Sequence, residues 1–445
     1  MTIKTRFAPS PTGHLHVGNI RTALHNWMFA KKNGGEFLLR LDDTDKERSK
    51  EEYVTAIRAD LAWLGINPDN EERQSARFDR YEERFEELKA AGRVYPAYET
   101  AQELDLKRKI QLGRGKPPTY DRGALNLTEA ERAAFEAEGR KAHWRFKLDH
   151  DTPIEWTDLI RGEQHFDPAL LSDPVIRRED GSWLYMLPST IDDIDMGITH
   201  VVRGEDHVAN TAVQIQMFQA FGEDRPEFAH EALLVGTEGK LSKRLGSLGV
   251  SSFRERDIEP QSLTALLARI GTSDPVEPIA DVSTLIETFD FSRFGRAPAR
   301  FDEEELTQLN QKIVHLLDFA AVQNRIPEKM TAEAWEVIRP NLHNIGEVEN
   351  WWQVVTGPVA TAKLADEDRD FLEQARASLE NLAWTDSIWK DWTGALKENT
   401  GRKGKGLFMP LRQTLTGLDH GPDMAALLPL IGRDKALERL KASIS

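Results

Sequence analysis

The run Phe7-Ala8-Pro9-Ser10-Pro11-Thr12-Gly13-His14-Leu15-His16-Val17-Gly18-Asn19 constrains this chain more than any other segment. It follows the alternating stretch Thr2 to Phe7, and its two prolines cannot continue a ladder. The pattern predicts a short strand ending in a loop. From Val17 apolar residues recur at helical spacing, at Ile20, Leu24, Trp27 and Met28, until Gly34-Gly35 stops the helix. A strand handed to a helix in this way presents the helix N-terminus at the strand's carboxyl end. Open α/β sheets bind ligands there, and a helix N-terminus favours phosphate. Gly18 lets a nucleotide approach the backbone, and His16 is placed to donate to a phosphate oxygen as charge builds in a transition state. Taken alone, the same turn reads equally as a structural one carrying a surface histidine.

The pattern repeats. Glu36 to Leu41 is an apolar run consistent with a buried strand, and it leads into Asp42-Asp43-Thr44-Asp45. A second helix is expected from Ser49, with Ser49 and Glu52 as a capping box, a stripe of Tyr53, Ile57, Leu61 and Leu64, and Gly65 at its end. Strand, helix, strand, helix in this order implies a parallel sheet with crossover helices. From about residue 95 the chain turns basic, with Lys107, Arg108, Lys109, Arg114 and Lys116. A helix-like stretch from Thr128 to Glu138 and a strand-like one from Ala142 to Leu148 suggest an inserted α+β module. The α/β pattern resumes near Ser182, a helix is expected over Pro260 to Ile270, and from about Phe301 only helical periodicity remains.

Length and composition set the outer limits. A chain of 445 residues is long for a single core. No apolar run approaches the ~20 residues of a membrane span, and the first residues lack a signal-peptide pattern, so a cytoplasmic protein with no membrane partner is expected. The absence of cysteine removes disulfides, thiol nucleophiles and cysteine-ligated zinc. With a net charge of −16, any nucleic-acid site must be a local basic patch.

More than 200 residues after the His16 turn comes Lys240-Leu241-Ser242-Lys243-Arg244, flanked by Gly236, Gly239 and Gly246. Three cations between glycines make a loop that can close over a triphosphate and stabilise departing pyrophosphate. Other groups suit a small zwitterionic acid. Arg6 ends the first strand, Asp42 and Asp43 end the second, and Arg203-Gly204-Glu205-Asp206-His207 follows a strand expected over Ile198 to Val202. A guanidinium suits a carboxylate and an aspartate suits an ammonium, although each is also an ordinary surface ion-pair former. Asp192-Asp193-Ile194-Asp195 reads either as a metal site or as a strand-end cap. His165, His200, His207 and His230 lack metal-ligand spacing and read as structural or surface residues.

Together these residues resemble the class I aminoacyl-tRNA synthetases, and within them the bacterial glutamyl-tRNA synthetases. The family's HIGH motif corresponds to His16-Val17-Gly18-Asn19 and its KMSKS motif to Lys240-Leu241-Ser242-Lys243-Arg244. Arg21-Thr22-Ala23-Leu24, Asp43-Thr44-Asp45, Arg203-Gly204-Glu205-Asp206 and the run Lys405 to Arg412 also match. The resemblance implies a Rossmann-like α/β catalytic domain over 1–94 and 182–236. An inserted α+β acceptor-stem-binding module would occupy 95–181. The KMSKS loop with a stem-contact region would span 237–300, and an all-α anticodon-binding domain 301–445.

The resemblance also implies an activity: activation of L-glutamate by ATP to glutamyl-adenylate, dependent on bound tRNA, then transfer to the terminal ribose of tRNA-Glu by a monomeric enzyme. Mg²⁺ would arrive with ATP, and the protein itself would hold no metal and no zinc. His16, Lys240 and Lys243 would be catalytic. ATP would meet Thr12, His16, Gly18, Asn19, Leu234, Lys240, Ser242, Lys243 and Arg244. Glutamate would meet Arg6, Ser10, Asp42, Tyr185, Ser189 and Arg203. Asp45, Arg339, Arg402, Lys403 and Lys405 are the candidate tRNA contacts. The chain departs from the family pattern at Asp42, where glutamate is usual, at Ser189, where asparagine is expected, at His207, where an aromatic such as tryptophan is common, and at Asn19. Alternative readings are an enzyme that also, or only, charges tRNA-Gln, a tRNA-modifying relative, and a non-catalytic tRNA-binding paralogue. The residues beyond Phe301 speak against the second, and intact His16, Lys240 and Lys243 against the third.

Overall fold

The computed structural model describes residues 2–115, 118–236, 239–240, 249–360 and 366–444, with the backbone alone for 239, 240 and 366. It divides into two compact units. One comprises Met1–Arg254 and Leu263–Asp302, the other Glu255–Ser262 and Glu303–Ser445.

The first unit is built on parallel β-α-β turns. Strand β1 (Lys4–Phe7) leads to helix α1 (Val17–Lys32), β2 (Glu36–Leu41), α2 (Glu51–Trp63) and β3 (Asn70–Arg73). The three strands form a parallel sheet in the order β1-β2-β3, with Lys4 opposite Glu36 and Leu38 opposite Asn70. In β2, Phe37, Leu38, Leu39 and Leu41 are all buried, as expected of a strand covered on both faces. At ~1.5–3 kcal/mol for each large apolar side chain, this burial anchors the sheet. Helix α1 buries Ile20, Leu24, Trp27 and Met28 and ends before Gly34, whose φ of +61° favours glycine.

The chain continues through α3 (Phe78–Ala90), β4 (Val94–Ala97), α4 (Ala101–Gly113), α5 (Glu129–Ala137) and β5 (His143–Phe146). A hairpin of β6 (Ile154–Asp158) and β7 (Gly162–Phe166) follows, then β8 (Val175–Arg177). Strands β4, β5 and β8 form an antiparallel sheet in the order β4-β5-β8. The hairpin packs elsewhere. Ile154 and Trp156 join Leu38, Val201, Ile215 and Phe228 in the core of the parallel layer.

Helix α6 (Met186–Asp195) then leads to β9 (His200–Gly204), α7 (Val208–Phe221) and β10 (Glu227–Glu231), with β9 and β10 parallel and Arg203 opposite His230. The Thr199 N–H donates to the Lys4 carbonyl at 2.9 Å, and the Lys4 N–H to the Thr199 hydroxyl at 2.8 Å. These bonds set β9 beside β1 and join the two halves of the parallel layer. Short strands β11 (Leu234–Gly236), β12 (Gly239–Lys240) and β13 (Ala299–Arg300) make a separate sheet. Helices α8 (Val250–Glu255), α9 (Pro260–Arg269) and α10 (Val282–Thr288) lie between β12 and β13 in the chain. Among the described residues the second unit contains nine further α-helices, from Glu303–Val314 to Arg433–Ile444. Its largest fully buried side chains are Trp335 and Trp392, each donating its indole N–H to a carbonyl, of Leu317 and Ala375 respectively. No described helix is long and apolar enough to cross a membrane.

Three expectations are corrected. Helix α2 starts at Glu51, and its N-cap is Lys50 with no side-chain cap, so Ser49 and Glu52 form no capping box. The Lys50 N–H is held by the Pro11 carbonyl at 3.0 Å and the Ser49 N–H by the Asp45 carbonyl at 2.9 Å. Strand β9 runs to Gly204, so Arg203 lies within it rather than after it. Asp192, Asp193 and Asp195 cap no strand. They occupy the last turn of α6, where arginines engage all three.

Candidate functional site

A cavity of ≈610 Å³ opens where β1, β2 and β9 end. Arg6, Ser10, Thr12, His16, Gly18, Asn19, Asp42, Tyr185, Arg203 and Leu234 all line it. The sequence scatters these residues over more than two hundred positions. The parallel layer collects them because every strand delivers its C-terminal residue to the same edge.

The His16 turn forms one wall. His16 is the N-cap of α1, and its Nδ1 accepts the Gly18 N–H at 3.1 Å, while the Asn19 side-chain oxygen accepts the His16 N–H at 3.3 Å. Two of the first N–H groups are thus taken by side chains, so a phosphate would meet the ring rather than the bare Gly18 amide. Accepting at Nδ1 fixes the tautomer and puts the proton on Nε2 as a donor. Desolvation pulls the His16 pKa below the ordinary histidine value, so the ring is neutral near pH 7. Glycine at 18 is what lets the ring fold over the turn, since a Cβ there would sit 3.0 Å from His16 Cε1. The backbones of His16 and Gly249 form an isolated antiparallel bridge, and Lys240 pairs with Val235 in β11–β12. Gly249 is thereby tied to the His16 turn, and Lys240 to β11. Ser242, Lys243 and Arg244 themselves, and the Lys240 side chain, lie outside the described residues.

Arg6 and Asp42, which also line the cavity, belong to a buried charge cluster. Arg40, the penultimate residue of apolar β2, is fully buried. It donates to Asp42 at 2.7 and 3.3 Å, to Asp193 at 2.7 Å and to the Ser189 hydroxyl at 3.1 Å. Arg6 also donates to Asp193, at 3.1 Å. Burying so many charges is tolerable only because each is paired. Burial pushes the Asp42 carboxyl up to about 6 despite Arg40. Asp43 is engaged by the Ser75 N–H and hydroxyl at 2.7 and 2.8 Å, which leaves Asp42 to face the cavity. Ser189 is fully buried beneath Arg40 and is not part of the cavity wall.

Arg203 differs from its neighbours. It is 6% exposed, and its partners are the Tyr185 hydroxyl at 2.8 Å, the Thr211 hydroxyl at 2.5 Å, the Gln214 oxygen at 2.8 Å and His230 Nε2 at 3.4 Å. All four are neutral. A buried guanidinium at a cavity wall without a bound carboxylate is prepared to receive one. His207 also lines this wall, edge-on to Tyr185 with ring centroids 5.7 Å apart. Burial and the Arg203 charge push its pKa down to about 4, so it too is neutral.

Sequence reasoning missed Arg40, because a charge inside an apolar strand gives no local sign of its partners. It quoted Arg21 within a motif but gave it no role; Arg21 is buried and donates to the Ala232 carbonyl at 2.7 Å next to the Leu233–Leu234 wall. A second cavity, of ≈840 Å³, shares Ser10, Thr12, Asp42 and Tyr185 with the first and is lined further by Asp45, Lys46, Arg48, Arg177 and Arg178. Asp45 accepts from Arg48 at 2.7 Å. In the helical unit Arg339 donates to the Leu317 carbonyl and pairs with Glu336. Arg402 engages Asp368 and the Glu367 and Gly406 carbonyls while its guanidinium lies over Phe371. These two arginines are held by internal structure, whereas Lys403 and Lys405 are exposed.

The family model described as the catalytic domain of class I tRNA synthetases (E and Q) matches residues 2–308, and one described as an anticodon-binding domain matches 297–444. The chain is 67% identical to glutamate–tRNA ligase 2 of Erythrobacter litoralis, covering 99% of this chain and 98% of that protein. It is 66% identical to glutamate–tRNA ligase 1 of Rhizorhabdus wittichii over the whole of both. Among solved structures, a glutamate tRNA ligase from Elizabethkingia meningosepticum, in complex with its amino acid, superposes with a TM-score of 0.87 at 29% identity, covering 100% of this chain and 99% of that one. With a parallel α/β layer that gathers the His16 turn and the arginine wall into one cavity, and with this match over most of its length, the chain belongs to the class I tRNA synthetases of the E and Q group.

Proposed function

We propose that this protein is a glutamate–tRNA ligase, using ATP to activate L-glutamate and passing it to the 3′-terminal ribose of tRNA-Glu. The observation that carries the amino-acid assignment is Arg203, a buried guanidinium with only neutral partners, in the same cavity as the His16 turn. A side-chain carboxylate completes it. A glutamine amide leaves it uncompensated in a desolvated site, a mismatch that can discriminate by ~10⁴ or more.

Glutamate lies against Arg6, Ser10, Tyr185 and Arg203, with its ammonium toward Asp42. ATP, carrying Mg²⁺ on its phosphates, lies along Thr12, His16, Gly18, Asn19 and Leu234. An oxygen of the glutamate α-carboxylate attacks the α-phosphorus. The new O–P bond forms as the bond to the bridging oxygen breaks, and pyrophosphate leaves. The substrate is its own nucleophile, so the enzyme contributes alignment and charge stabilisation. His16 supplies the Nε2 proton as a hydrogen-bond donor to the phosphate oxygens. Lys240 and Lys243, with Ser242 and Arg244, stabilise the departing pyrophosphate. In the second step a hydroxyl of the terminal ribose attacks the glutamyl carbonyl carbon and AMP leaves.

The tRNA end approaches through the second cavity, past Asp45 and its basic neighbours, while residues 95–181 serve the acceptor stem and 237–300 the KMSKS loop and stem contact. The helical residues 301–445 read the anticodon, with Lys403 and Lys405 as the exposed candidates. The protein works in the cytoplasm as a monomer. ATP–pyrophosphate exchange tests the reading: exchange should require both glutamate and tRNA and be negligible with glutamine. Exchange driven equally by glutamine would refute the amino-acid assignment.

A further inference from the structure

We propose that Asp158, acting through His230, is a positioning residue for Arg203, so that the β6–β7 hairpin sets the geometry of the amino-acid pocket. The inference rests on the pocket assignment above. It starts from an ordered chain of hydrogen bonds. Asp158 ends β6, and its Oδ1 accepts three backbone N–H groups, from Ile160 at 3.1 Å, Arg161 at 2.9 Å and His230 at 3.1 Å. Its Oδ2 lies 2.5 Å from His230 Nδ1. His230 and Asp158 are both buried, and His230 lies opposite Arg203 in the β9–β10 register.

The polarity of this chain follows from the carboxylate. An ionised Asp158 can only accept, so His230 Nδ1 carries the proton and Nε2 is bare. Burial pulls the His230 pKa down, which keeps the second nitrogen unprotonated. Bare Nε2 then accepts from the Thr211 hydroxyl at 2.8 Å and from Arg203 Nε at 3.4 Å. With its proton committed to His230, the Thr211 oxygen is free to accept Arg203 Nη2. The opposite tautomer would aim an N–H at the guanidinium, removing the acceptor of Arg203 Nε, and would turn the Thr211 proton to its other acceptor, the His207 carbonyl at 3.3 Å. Asp158 thus decides, from two residues away, that Arg203 meets acceptors. The same turn holds the residue that follows β9: Arg161 pairs with Glu205 at 2.5 Å, and Glu205 accepts the Leu233 N–H at 3.2 Å.

The test is Asp158→Asn beside Arg203→Ala, in the full-length enzyme with tRNA present. An asparagine oxygen can keep the three backbone bonds while its amide N–H faces His230 Nδ1, which forces the other tautomer. The expected result is a glutamate KM raised roughly tenfold, the size of one lost hydrogen bond to a charged group, with the ATP KM unchanged. The ¹⁵N imidazole shifts should move the His230 proton from Nδ1 in the parent to Nε2 in the variant. If Arg203→Ala raises the glutamate KM and Asp158→Asn does not, the positioning role is overturned and the pocket stands. If Arg203→Ala leaves that KM unchanged, the pocket assignment falls and the positioning role with it. Should Asp158→Asn fail to fold, the parent's ¹⁵N spectrum decides, since a proton on Nε2 of His230 contradicts the mechanism and a proton on Nδ1 supports it.

Discussion

His16 Nδ1 accepts the N–H of Gly18 at 3.1 Å, so one imidazole caps helix α1, lines the cavity and keeps Nε2 as its only N–H donor. The two roles are separable. In His16→Asn the side chain is still a good N-cap, so stability should hold, but the Nε2 donor is gone. Adenylate formation should fall by ~10²–10³, the loss seen when one oxyanion donor is removed. His16→Ala should lose activity similarly and also about 1 kcal/mol of stability. Thermal melts beside pyrophosphate exchange check this, and an active His16→Asn enzyme would remove the donor role.

Lys243 should matter at the same step. Lys243→Ala should lower pyrophosphate exchange on the order of 10²–10³ while leaving the glutamate KM near its parent value, since the proposed role of the cation is to act on the leaving group. Single-turnover rates measure it. An unchanged rate would exclude the lysine from phosphate chemistry.

Arg203→Ala should raise the glutamate KM by about thirtyfold, on the order of 2 kcal/mol for hydrogen bonds to a charged group, and should narrow the gap between glutamate and glutamine. Competitive exchange assays with both amino acids read the two effects. An unaltered preference for glutamate would assign recognition elsewhere.

Asp42 gives a pH signature. Burial raises its pKa to about 6, so the charged form, the one proposed to hold the glutamate ammonium, prevails above that pH and is lost below it. The glutamate KM should therefore be flat from neutral pH to about 6 and climb by about tenfold per unit below, with the ATP KM insensitive. A flat glutamate KM down to pH 5 would remove Asp42 from ammonium binding.

How far the sequence could be read depends on how local each feature is. The His16 turn, strand β2 and the helix stops at Gly34 and Gly65 follow from patterns a few residues long, and the structure contains all of them. The site's chemistry depends on contacts that span the chain. Arg40 reaches Asp193 across 153 positions, and Arg6 reaches it across 187. No periodicity in β2 says that a buried arginine there will find a partner on α6. The aspartates of α6 were ambiguous for the same reason, since only their arginine partners distinguish a structural cluster from a metal site. Ser49 shows that even local rules yield to tertiary bonds: Pro11, far from α2 in sequence, holds Lys50 and moves the helix start. Arg402, a candidate RNA contact, likewise meets Asp368 and Phe371, partners that no local pattern reveals.

The most direct test of the central claim is formation of aminoacyl-tRNA with purified tRNA-Glu and tRNA-Gln side by side, using labelled glutamate or glutamine and ATP. The account predicts ATP-dependent glutamyl-tRNA-Glu and no glutaminyl product on either acceptor. Glutamate on tRNA-Gln would widen or replace the acceptor, while glutamine transfer, or no glutamate transfer to either tRNA, would contradict the account.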